Sequence, residues 1–339
     1  MRRKRSTDRG SRLPFMPSSA SPCPVVTRAA AVLRAGGLVA FPTETVYGLG
    51  ADALNAESVE RIFTVKGRPA DNPLIVHIAS QNEFTAVAGH VSPLAWALAA
   101  KFWPGPLTLV VEAAPTLPAV TTGGLATVAV RVPDHPLALA LLDAAGVPIA
   151  APSANRSGRP SPTTAAHVID ELGSQVDIVL DGGPCQLGVE STVVDARGDR
   201  PVVLREGAVT REHLGLDLRR DGSPQVVEDL GASPGTRHRH YAPGCRVEVA
   251  PAGQGPARAR ALAGQGLRVG LVASCAASAV GSDIQQLACF TDAAELGRLL
   301  YSALRGAEKA GVDVVVIEAV EPLGIGRAVM DRVTRAAAP

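Results

Sequence analysis

The sequence of 339 residues has few lysines, few aromatic residues and almost no net charge. Lysine accounts for only four of the 33 basic residues, at Lys4, Lys66, Lys101 and Lys309, so arginine carries most of the positive charge. A net charge of +1 provides no global field that would attract a nucleic acid or a membrane surface. Any anion site must therefore be a local cluster of cations, and Lys66, which falls inside a polar stretch, is a candidate for one.

Several motifs are also missing. The chain contains no G-x-x-x-x-G-K-[ST] sequence, which excludes a P-loop, and no C-x-x-C pair. Its five cysteines are odd in number and widely spaced, which argues against a disulfide framework or a zinc site and suits a reducing compartment such as the cytoplasm. No apolar run approaches the roughly 18 residues of a membrane helix. The basic, Ser/Pro-rich first 22 residues lack the apolar core of a secretory signal.

The length and a composition of 46% hydrophobic and 19% charged residues indicate two globular domains. We expect a disordered tail over residues 1–23, with Met16 as an alternative start, a first α/β domain over 24–215, a linker or lid over 216–245 and a small domain over 246–339. In the first domain short strands and helices mix with tight turns, and their order leaves open whether the sheet is parallel or mixed. In the last segment strands and helices alternate regularly, which predicts a small parallel sheet.

The most informative stretch, residues 38–78, joins two apolar strands through loops that hold hydroxyl groups, two cations, an amide and a histidine. Polar groups on loops held by rigid strands are typical of a site for a small anion. Lys66 and Arg68 flank a glycine after a short helix, where they either face one anion or form a solvated helix end. Asn72 is a ligand amide or a turn former, and His77, in the apolar strand LIVHI, is a ligand or a core residue.

Further polar groups follow later strands. Arg131 closes the strand TVAVR, either as an edge charge or as a carboxylate clamp. Ser153, Asn155 and Ser161 come after the next apolar strand, and Ser191 lies at the edge of another. No histidine–acid pair accompanies these serines, so ligand binding is favoured over a nucleophilic role, although Asx and Ser turns would also explain them.

Two other patterns carry little weight. The segment GLGADA, which begins at Gly48, formally matches the dinucleotide motif G-x-G-x-x-A. A helix cap near Asn55 places the helix start too late for that fold, which disfavours a nicotinamide dehydrogenase. His238 and His240 in the linker have no cysteine or acidic partner, so we expect no metal there. A basic, aromatic linker that closes over an anion is the favoured role.

Seven segments stand in order along the chain: FPTETVYGLG, KGRPADNPLIVHI, AVRVPDH, APSANRSGRPSPT, GVESTVVD, LREG and PGTRHRHYAP. Together they resemble the YrdC family, in its long form with an extra C-terminal domain, over residues 24–338. The resemblance implies an α/β fold, in which a YrdC-like twisted mixed sheet with helices and a concave basic site is followed by a smaller Rossmann-like α/β domain. The final helix departs from the family pattern at Asp331, where we expect asparagine.

The resemblance also implies an activity. Members of this family are threonylcarbamoyl-AMP synthases, nucleotidyltransferases that take L-threonine, bicarbonate and ATP and release pyrophosphate. Mg²⁺ would accompany the ATP, with no metal site in the protein itself. The product would pass to downstream tRNA threonylcarbamoyltransferase proteins, which modify the adenosine next to the anticodon. The chain would therefore meet tRNA only indirectly, and would meet no membrane.

Residue roles follow from the same resemblance. L-Threonine would be held by Thr45, His77, Arg131, Ser191 and the backbone of Ala151. ATP would be held by Lys66, Arg68, Asn72, Thr127, Ser153, Ser161, Arg205 and, as part of a lid, Tyr241. The residues expected to face the bicarbonate and the α-phosphate are Lys66, Arg68, Ser153 and Asn155.

Two alternative functions belong to other classes of protein. An RNA-binding protein would use the concave basic surface, but the net charge and the lack of aromatic-rich basic stripes weaken that hypothesis. A carbamoyl-transferring maturation factor also contains a YrdC domain. Such factors carry an acylphosphatase-like region and paired C-x-x-C motifs, which this sequence lacks.

Overall fold

A computed structural model describes residues 23–216, 241–275 and 283–338. Of the tail predicted over residues 1–23, residues 1–22, including Met16, lie outside the described residues. So does most of the predicted linker, with His238 and His240. The boundaries that we expect at 24–215, 216–245 and 246–339 stay a prediction.

Ten α-helices form within the described residues, and none is long and apolar enough to cross a membrane. Five of them begin at a capping side chain. Asn55, Ser92, Thr164 and Asp292 each accept a hydrogen bond from the backbone N–H three residues on, and His135 accepts one from the N–H two residues on. The helices are α1 Pro24–Arg34, α2 Ala56–Lys66, α3 Phe84–Val87, α4 Pro93–Phe102, α5 Ala119–Thr122, α6 Pro136–Ala145, α7 Ala165–Leu172, α8 Gly255–Ala263, α9 Ala293–Ala310 and α10 Gly326–Ala337.

Fourteen strands form two sheets in the same residues. The strands are β1 Val39–Phe41, β2 Gly48–Asp52, β3 Ile75–His77, β4 Ala88–His90, β5 Leu107–Ala113, β6 Thr127–Arg131, β7 Ile149–Ala150, β8 Ile178–Val179, β9 Thr192–Asp195, β10 Val202–Arg205, β11 Arg246–Ala250, β12 Val269–Ser274, β13 Ile284–Phe290 and β14 Val314–Glu318.

The first sheet has the order β10-β9-β5-β6-β3-β7-β2-β1-β8, with β4 paired to β5. Three pairs are parallel, namely β1 with β8, β3 with β6 and β5 with β9. The remaining pairs are antiparallel. The sheet is therefore mixed, which confirms the expected fold. The glycines of the formal dinucleotide motif belong to strand β2 and not to a turn before a helix, so the dehydrogenase hypothesis has no structural basis.

Helices cover both faces of this sheet. In β1, Val39 and Phe41 belong to a core shared with α1 and α6, whereas Ala40 belongs to a larger core shared with α2, α4 and α7. Every residue of β1 is buried, as a strand covered on both faces requires. The polar groups of the chain are consequently carried by strand ends and by the loops that follow them.

The second sheet is smaller and has the order β11-β14-β12-β13. All its pairs are parallel, which confirms the predicted parallel sheet, although the sequence did not indicate β13. Its strands pack on α9 and α10 at one face and on α8 at the other. The core on the α9–α10 side also takes in Val46, Val189 and Tyr241, so side chains from outside the small sheet are buried against these two helices.

One sequence argument about cysteine was wrong. Cys275 and Cys289, 14 residues apart, form a disulfide with a Cα–Cα distance of 5.0 Å. The two residues meet because β12 and β13 are parallel neighbours. The sequence gave no sign of β13, and hence none of this pairing. Cys185 is buried and Cys23 is exposed, and both are free thiols.

Candidate active site

The loops that follow β1, α2 and β7, together with the loop before β9 and the end of β10, surround a pocket. These segments leave the same region of the first sheet, so their polar side chains converge. The lining residues are Thr43, Thr45, Val46, Gly48, Arg68, Pro73, Leu74, Ile75, His77, Arg131, Ala151, Pro152, Ser153, Glu190, Ser191, Arg205 and Tyr241. All five residues that we expected around L-threonine are among them.

Arg131 forms the floor of one half of the pocket. It pairs in register with His77 across the parallel strands β3 and β6. Its Nε donates to the Gly105 carbonyl (3.2 Å), its Nη1 donates to Thr45 Oγ1 (3.0 Å), and its Nη2 lies 2.6 Å from Glu44 Oε1. The contacts with Gly105 and Thr45 are hydrogen bonds and the contact with Glu44 is an ion pair, so at least two of the five N–H groups of the guanidinium remain for a ligand.

His77 is buried and neutral. Burial, and then the nearby Arg131, lower its pKa to about 3, because both disfavour a second positive charge. The ring makes an edge contact with Phe41, with centroids 5.9 Å apart. Among the described residues no group forms a hydrogen bond with His77 Nδ1. This half of the pocket thus presents one permanent cation and one uncharged imidazole.

Hydroxyl groups complete the same half. Thr45 Oγ1 lies 2.8 Å from Thr43 Oγ1, and Ser191 Oγ lies 2.8 Å from Thr108 Oγ1. Arg205 Nη2 donates to both the carbonyl and the hydroxyl of Ser191, at 2.9 and 3.1 Å. A Cβ on Gly207 would meet the backbone at Ser191 within 2.4 Å, so only glycine permits this close approach.

Lys66 stands behind the other half of the pocket and anchors its rim. The left-handed cap Gly67 (φ +59°) ends α2 there, and the buried ammonium of Lys66 donates to the carbonyls of Ser153 (2.5 Å) and Asn155. The Ser157 N–H donates back to the Lys66 carbonyl (2.8 Å). Burial, and then Arg68, lower the pKa of Lys66. A nearby anion would offset both effects.

Arg68 lines the pocket itself. Its Nη2 donates to Asn72 Oδ1 (2.7 Å) and to the Pro73 carbonyl (2.8 Å). Burial, and then Arg205, lower the pKa of Arg68. Two buried arginines that disfavour each other's charge make this half of the pocket attractive to an anion.

Five of the predicted residues do not line the pocket. Lys66, Asn72, Asn155 and Ser161 are buried just behind its wall, where they hold the lining residues or their loops. Asn155, for example, donates to the carbonyls of the loop that follows it. Thr127 begins β6 and so lies at the opposite end of that strand from the pocket. A side chain there is too distant for a direct contact in this pocket.

Glu190 is a lining residue that the sequence argument missed. Its carboxylate accepts hydrogen bonds from Ser161 Oγ (2.6 Å), from Tyr301 Oη (2.9 and 3.0 Å) and from Arg332 Nε (3.0 Å). Burial raises the pKa of Glu190, but Arg332, Arg205 and the Ser161 hydrogen bond outweigh burial and lower it to about 2. A charged carboxylate is therefore held in the pocket wall by two residues of α9 and α10.

Tyr241, the predicted lid residue, rests on the same two helices. Its ring stacks on Tyr301 with centroids 5.4 Å apart, and the Arg332 guanidinium lies 5.6 Å from the ring centre. Tyr241 is 4% exposed and has a left-handed backbone (φ +67°). The residue after it, Ala242, donates its N–H to the Gly158 carbonyl (2.9 Å), so this end of the linker is tied to the rim.

The sequence argument missed Glu44, Glu190 and Arg332, and only the last of these is indicated by a local sequence pattern. Glu44 and Glu190 each precede a predicted ligand residue, but their partners are distant in sequence, so no local pattern reveals them. Arg332 falls on the apolar stripe of α10, between Val329 and Val333, and is completely buried. A charged residue on an apolar helix face is a signal for a buried ion pair.

The described residues contain no group of three metal-binding side chains. The two carboxylates nearest the pocket, Glu44 and Glu190, are each paired with an arginine. Within the described residues, these two carboxylates are thus already engaged by arginines, and a Mg²⁺ ion held together with a phosphate ligand stays a prediction.

Two family profiles match consecutive parts of the chain. The profile of the Sua5/YciO/YrdC family, described as "Telomere recombination", matches residues 31–207, and the profile of the threonylcarbamoyl-AMP synthase C-terminal domain matches residues 208–338. The chain is 44% identical to the threonylcarbamoyl-AMP synthase of Pyrococcus abyssi, and the alignment covers 91% of this chain and 92% of the relative. It is 42% identical to the Bacillus subtilis enzyme of the same name, over 93% of each chain.

Solved structures agree with these matches. The crystal structure of Pyrococcus abyssi Sua5 complexed with L-threonine is 41% identical, covers 92% of this chain and 94% of its own, and superposes with a TM-score of 0.83. Escherichia coli YciO, at 27% identity and a TM-score of 0.51, covers 56% of this chain and 92% of its own. The chain therefore belongs to the Sua5/YciO/YrdC family, in the form that carries the additional C-terminal domain.

Proposed function

We propose that this protein is a threonylcarbamoyl-AMP synthase, a nucleotidyltransferase that converts L-threonine, bicarbonate and ATP into threonylcarbamoyl-AMP and pyrophosphate. One observation carries the proposal. A half-pocket built on Arg131 and His77 opens into a half-pocket lined by Arg68 and Arg205, within a chain that matches synthases over more than nine-tenths of its length. The first half suits an amino acid and the second suits a nucleotide.

The chemistry needs positioning and charge more than it needs a protein nucleophile. The threonine amine adds to bicarbonate, or to CO₂ derived from it, and water leaves as the N-carboxylate forms. A carboxylate oxygen then attacks the α-phosphorus of ATP, the bond to the β-phosphate breaks, and pyrophosphate departs. Both steps bring anions together, so fixed cations and aligned reactants supply most of the acceleration.

On the threonine side, the two remaining N–H groups of Arg131 would receive the carboxylate. Thr45 and Ser191 would offer hydroxyl groups, and the backbone at Ala151 would close the site. His77 is neutral, and no described residue forms a hydrogen bond with its Nδ1, so this atom is suited to accept a hydrogen bond from the threonine amine. That amine must lose its proton before it attacks.

On the nucleotide side, Arg68, Arg205 and the hydroxyl of Ser153 would meet the phosphates, and Tyr241 would cover the nucleotide. Lys66 would act through the loop that it holds, together with Asn72, Asn155 and Ser161 behind the wall. Thr127 would contribute only if the nucleotide extends beyond this pocket. Mg²⁺ would be held by the phosphates, where it would neutralise charge on the departing pyrophosphate.

The product is a mixed anhydride of a carbamic and a phosphoric acid, which water hydrolyses easily. We propose that it passes in the cytoplasm to tRNA threonylcarbamoyltransferase proteins, which place the threonylcarbamoyl group on the adenosine next to the anticodon. The RNA-binding alternative gains no support from the relatives, which are named as synthases.

The decisive assay measures pyrophosphate released from ATP by the full chain. We expect release to require both L-threonine and bicarbonate, and the adenylate product to incorporate label from ¹⁴C-bicarbonate. L-Serine and D-threonine serve as matched substrate controls. ATP turnover that is indifferent to threonine would exclude the synthase function.

A further inference from the structure

We propose that Arg332 and Tyr301, on the last two helices, are positioning residues of the reaction. In this proposal they hold Glu190 and neutralise its charge, so that the pocket wall stays attractive to a polyanionic nucleotide. The identity of the nucleotide as ATP rests on the proposed function. The charge balance of the pocket wall does not depend on that function.

The geometry of the cluster supports this role. Arg332 is completely buried, and the only charged groups with which it forms a hydrogen bond among the described residues are Glu190 and the adjacent Asp331 (2.9 Å). Asp331 is itself paired with Arg335 at 2.9 Å, so the four charges balance. Tyr301, also fully buried, donates its hydroxyl to the same carboxylate.

The position of Glu190 explains why its charge matters. Glu190 lines the pocket together with Arg205, which would face the phosphates. An unneutralised carboxylate at this point would repel phosphate oxygens and would compete with them for Arg205, the next cation that acts on Glu190 after Arg332. The C-terminal helices thus supply a compensating cation to Glu190 from behind the pocket wall.

The same residues also set the wall's shape. Ser161 donates to Glu190, and Tyr241 rests on Tyr301 and lies close to Arg332. Two groups that the sequence placed on the nucleotide side are therefore fixed through one buried cluster. If the cluster only attached the C-terminal helices, it would not need a charged carboxylate in the pocket wall. An experiment can therefore distinguish attachment of the helices from compensation of the charge on Glu190.

The test compares Arg332→Met, Glu190→Gln and the double variant in the full chain. Equilibrium binding of α,β-methylene-ATP is measured by calorimetry, alongside KM for ATP and for threonine and the thermal unfolding of each variant. We expect Arg332→Met to weaken nucleotide binding at least tenfold, with threonine KM changed less than threefold because threonine carries no net charge. Adding Glu190→Gln should restore most of the lost affinity, since it removes the charge that requires compensation.

Matched variants keep the outcome unambiguous. Arg332→Lys should bind the nucleotide within threefold of the native chain, and Arg332→Gln replaces Arg332→Met if the latter does not fold. Tyr301→Phe should weaken binding less than Arg332→Met. Arg268→Met removes an exposed ion pair of the small sheet and should change nothing.

Two results would overturn the proposal: native-like nucleotide affinity in Arg332→Met, or a loss that Glu190→Gln does not repair. If the native chain binds the analogue but turns over ATP without regard to threonine, the synthase function fails and the compensation by Arg332 still stands. If the native chain does not bind the analogue at all, both fail.

Discussion

Arg131 Nη2 and Glu44 Oε1 lie 2.6 Å apart, and the two side chains are only 4% and 5% exposed. No described residue donates a hydrogen bond to the Glu44 carboxylate, so charge alone holds this pair. Glu44 thus fixes the direction in which Arg131 offers its remaining N–H groups. Removing either partner leaves a buried charge without compensation.

Glu44→Ala should lower the free energy of unfolding by about 3–5 kcal/mol, the usual effect of breaking a buried ion pair from one side. The double variant Glu44→Ala/Arg131→Met should recover a large part of that loss. Urea denaturation measures both effects. Asp170→Ala, which removes the exposed partner of Lys309, is the control and should cost less than about 1 kcal/mol. An equally small effect at Glu44 would show that the buried pair contributes nothing.

Arg131→Ala should raise KM for threonine by about 10- to 100-fold, since a charged hydrogen bond contributes about 1.5–3 kcal/mol. KM for ATP should change less than threefold. This substitution also leaves Glu44 without its counter-ion, so the double variant Glu44→Gln/Arg131→Ala is measured in parallel. Arg61→Ala controls for the loss of an arginine. An unchanged threonine KM in both Arg131 variants would rule out the carboxylate clamp.

Lys66→Met should reduce kcat/KM for ATP at least 100-fold, because the ammonium makes two charged hydrogen bonds to the rim loop, each contributing about 1.5–3 kcal/mol. Amide exchange in residues 153–157 should speed up in the same variant. Lys66→Arg should not restore activity, since the buried site fits a compact ammonium. Lys101→Met, at an exposed position, is the control. Normal amide exchange would contradict the anchoring role.

His77 should make the protein less stable in mild acid. Its pKa is about 3 in the folded chain against a usual 6.5, so below pH 6.5 only the unfolded chain takes up the proton. The free energy of unfolding therefore falls as the pH drops from 6.5 towards 3, by up to about 1.4 kcal/mol per pH unit, and is unaffected above that range.

His77→Asn should flatten this dependence between pH 6.5 and 5, as measured by urea denaturation at several pH values. Glu190 also binds fewer protons when folded, but its effect begins only below pH 4.5, so the windows separate. His167→Asn provides a comparison, because burial lowers the pKa of that histidine as well, to about 4. Identical slopes for the native chain and His77→Asn would refute the neutral, buried imidazole.

Tyr241→Ala should raise KM for ATP about tenfold, the scale of one aromatic ring covering a base. Tyr241→Phe keeps the ring and should stay within threefold of the native value. Deleting residues 236–339 should abolish activity, since it also removes the helices on which the ring rests. Full activity in the truncated chain would make the lid dispensable.

The family resemblance placed Thr45, His77 and Arg131 in one threonine site, and the structure brings these three residues to the same pocket, where His77 and Arg131 end neighbouring strands. Thr127, which the resemblance placed with ATP, begins the strand that Arg131 ends and does not line this pocket. Lys66 and Arg68 were expected to face one ligand together. Gly67 instead turns the chain so that only Arg68 lines the pocket.

What the sequence did not reveal depends on pairing across long distances. Glu190 and Arg332 are 142 residues apart. Arg131 ends β6 and Glu44 lies in the loop after β1, within a mixed sheet whose order cannot be derived from periodicity. Strand β13 and the disulfide between Cys275 and Cys289 were missed for the same reason. Local patterns specify elements, whereas the partner of a buried charge is decided by topology.

The placement of Arg332 on the last helix has a consequence for biosynthesis. Arg332 follows Glu190 by 142 residues, so during synthesis the nascent chain carries Glu190 before its counter-ion has been made. We expect the nascent chain to keep this wall loose or protonated until α10 has been made. A stop codon that removes α10 alone would then leave the first sheet assembled, but Glu190 in the pocket wall would have no counter-ion from Arg332.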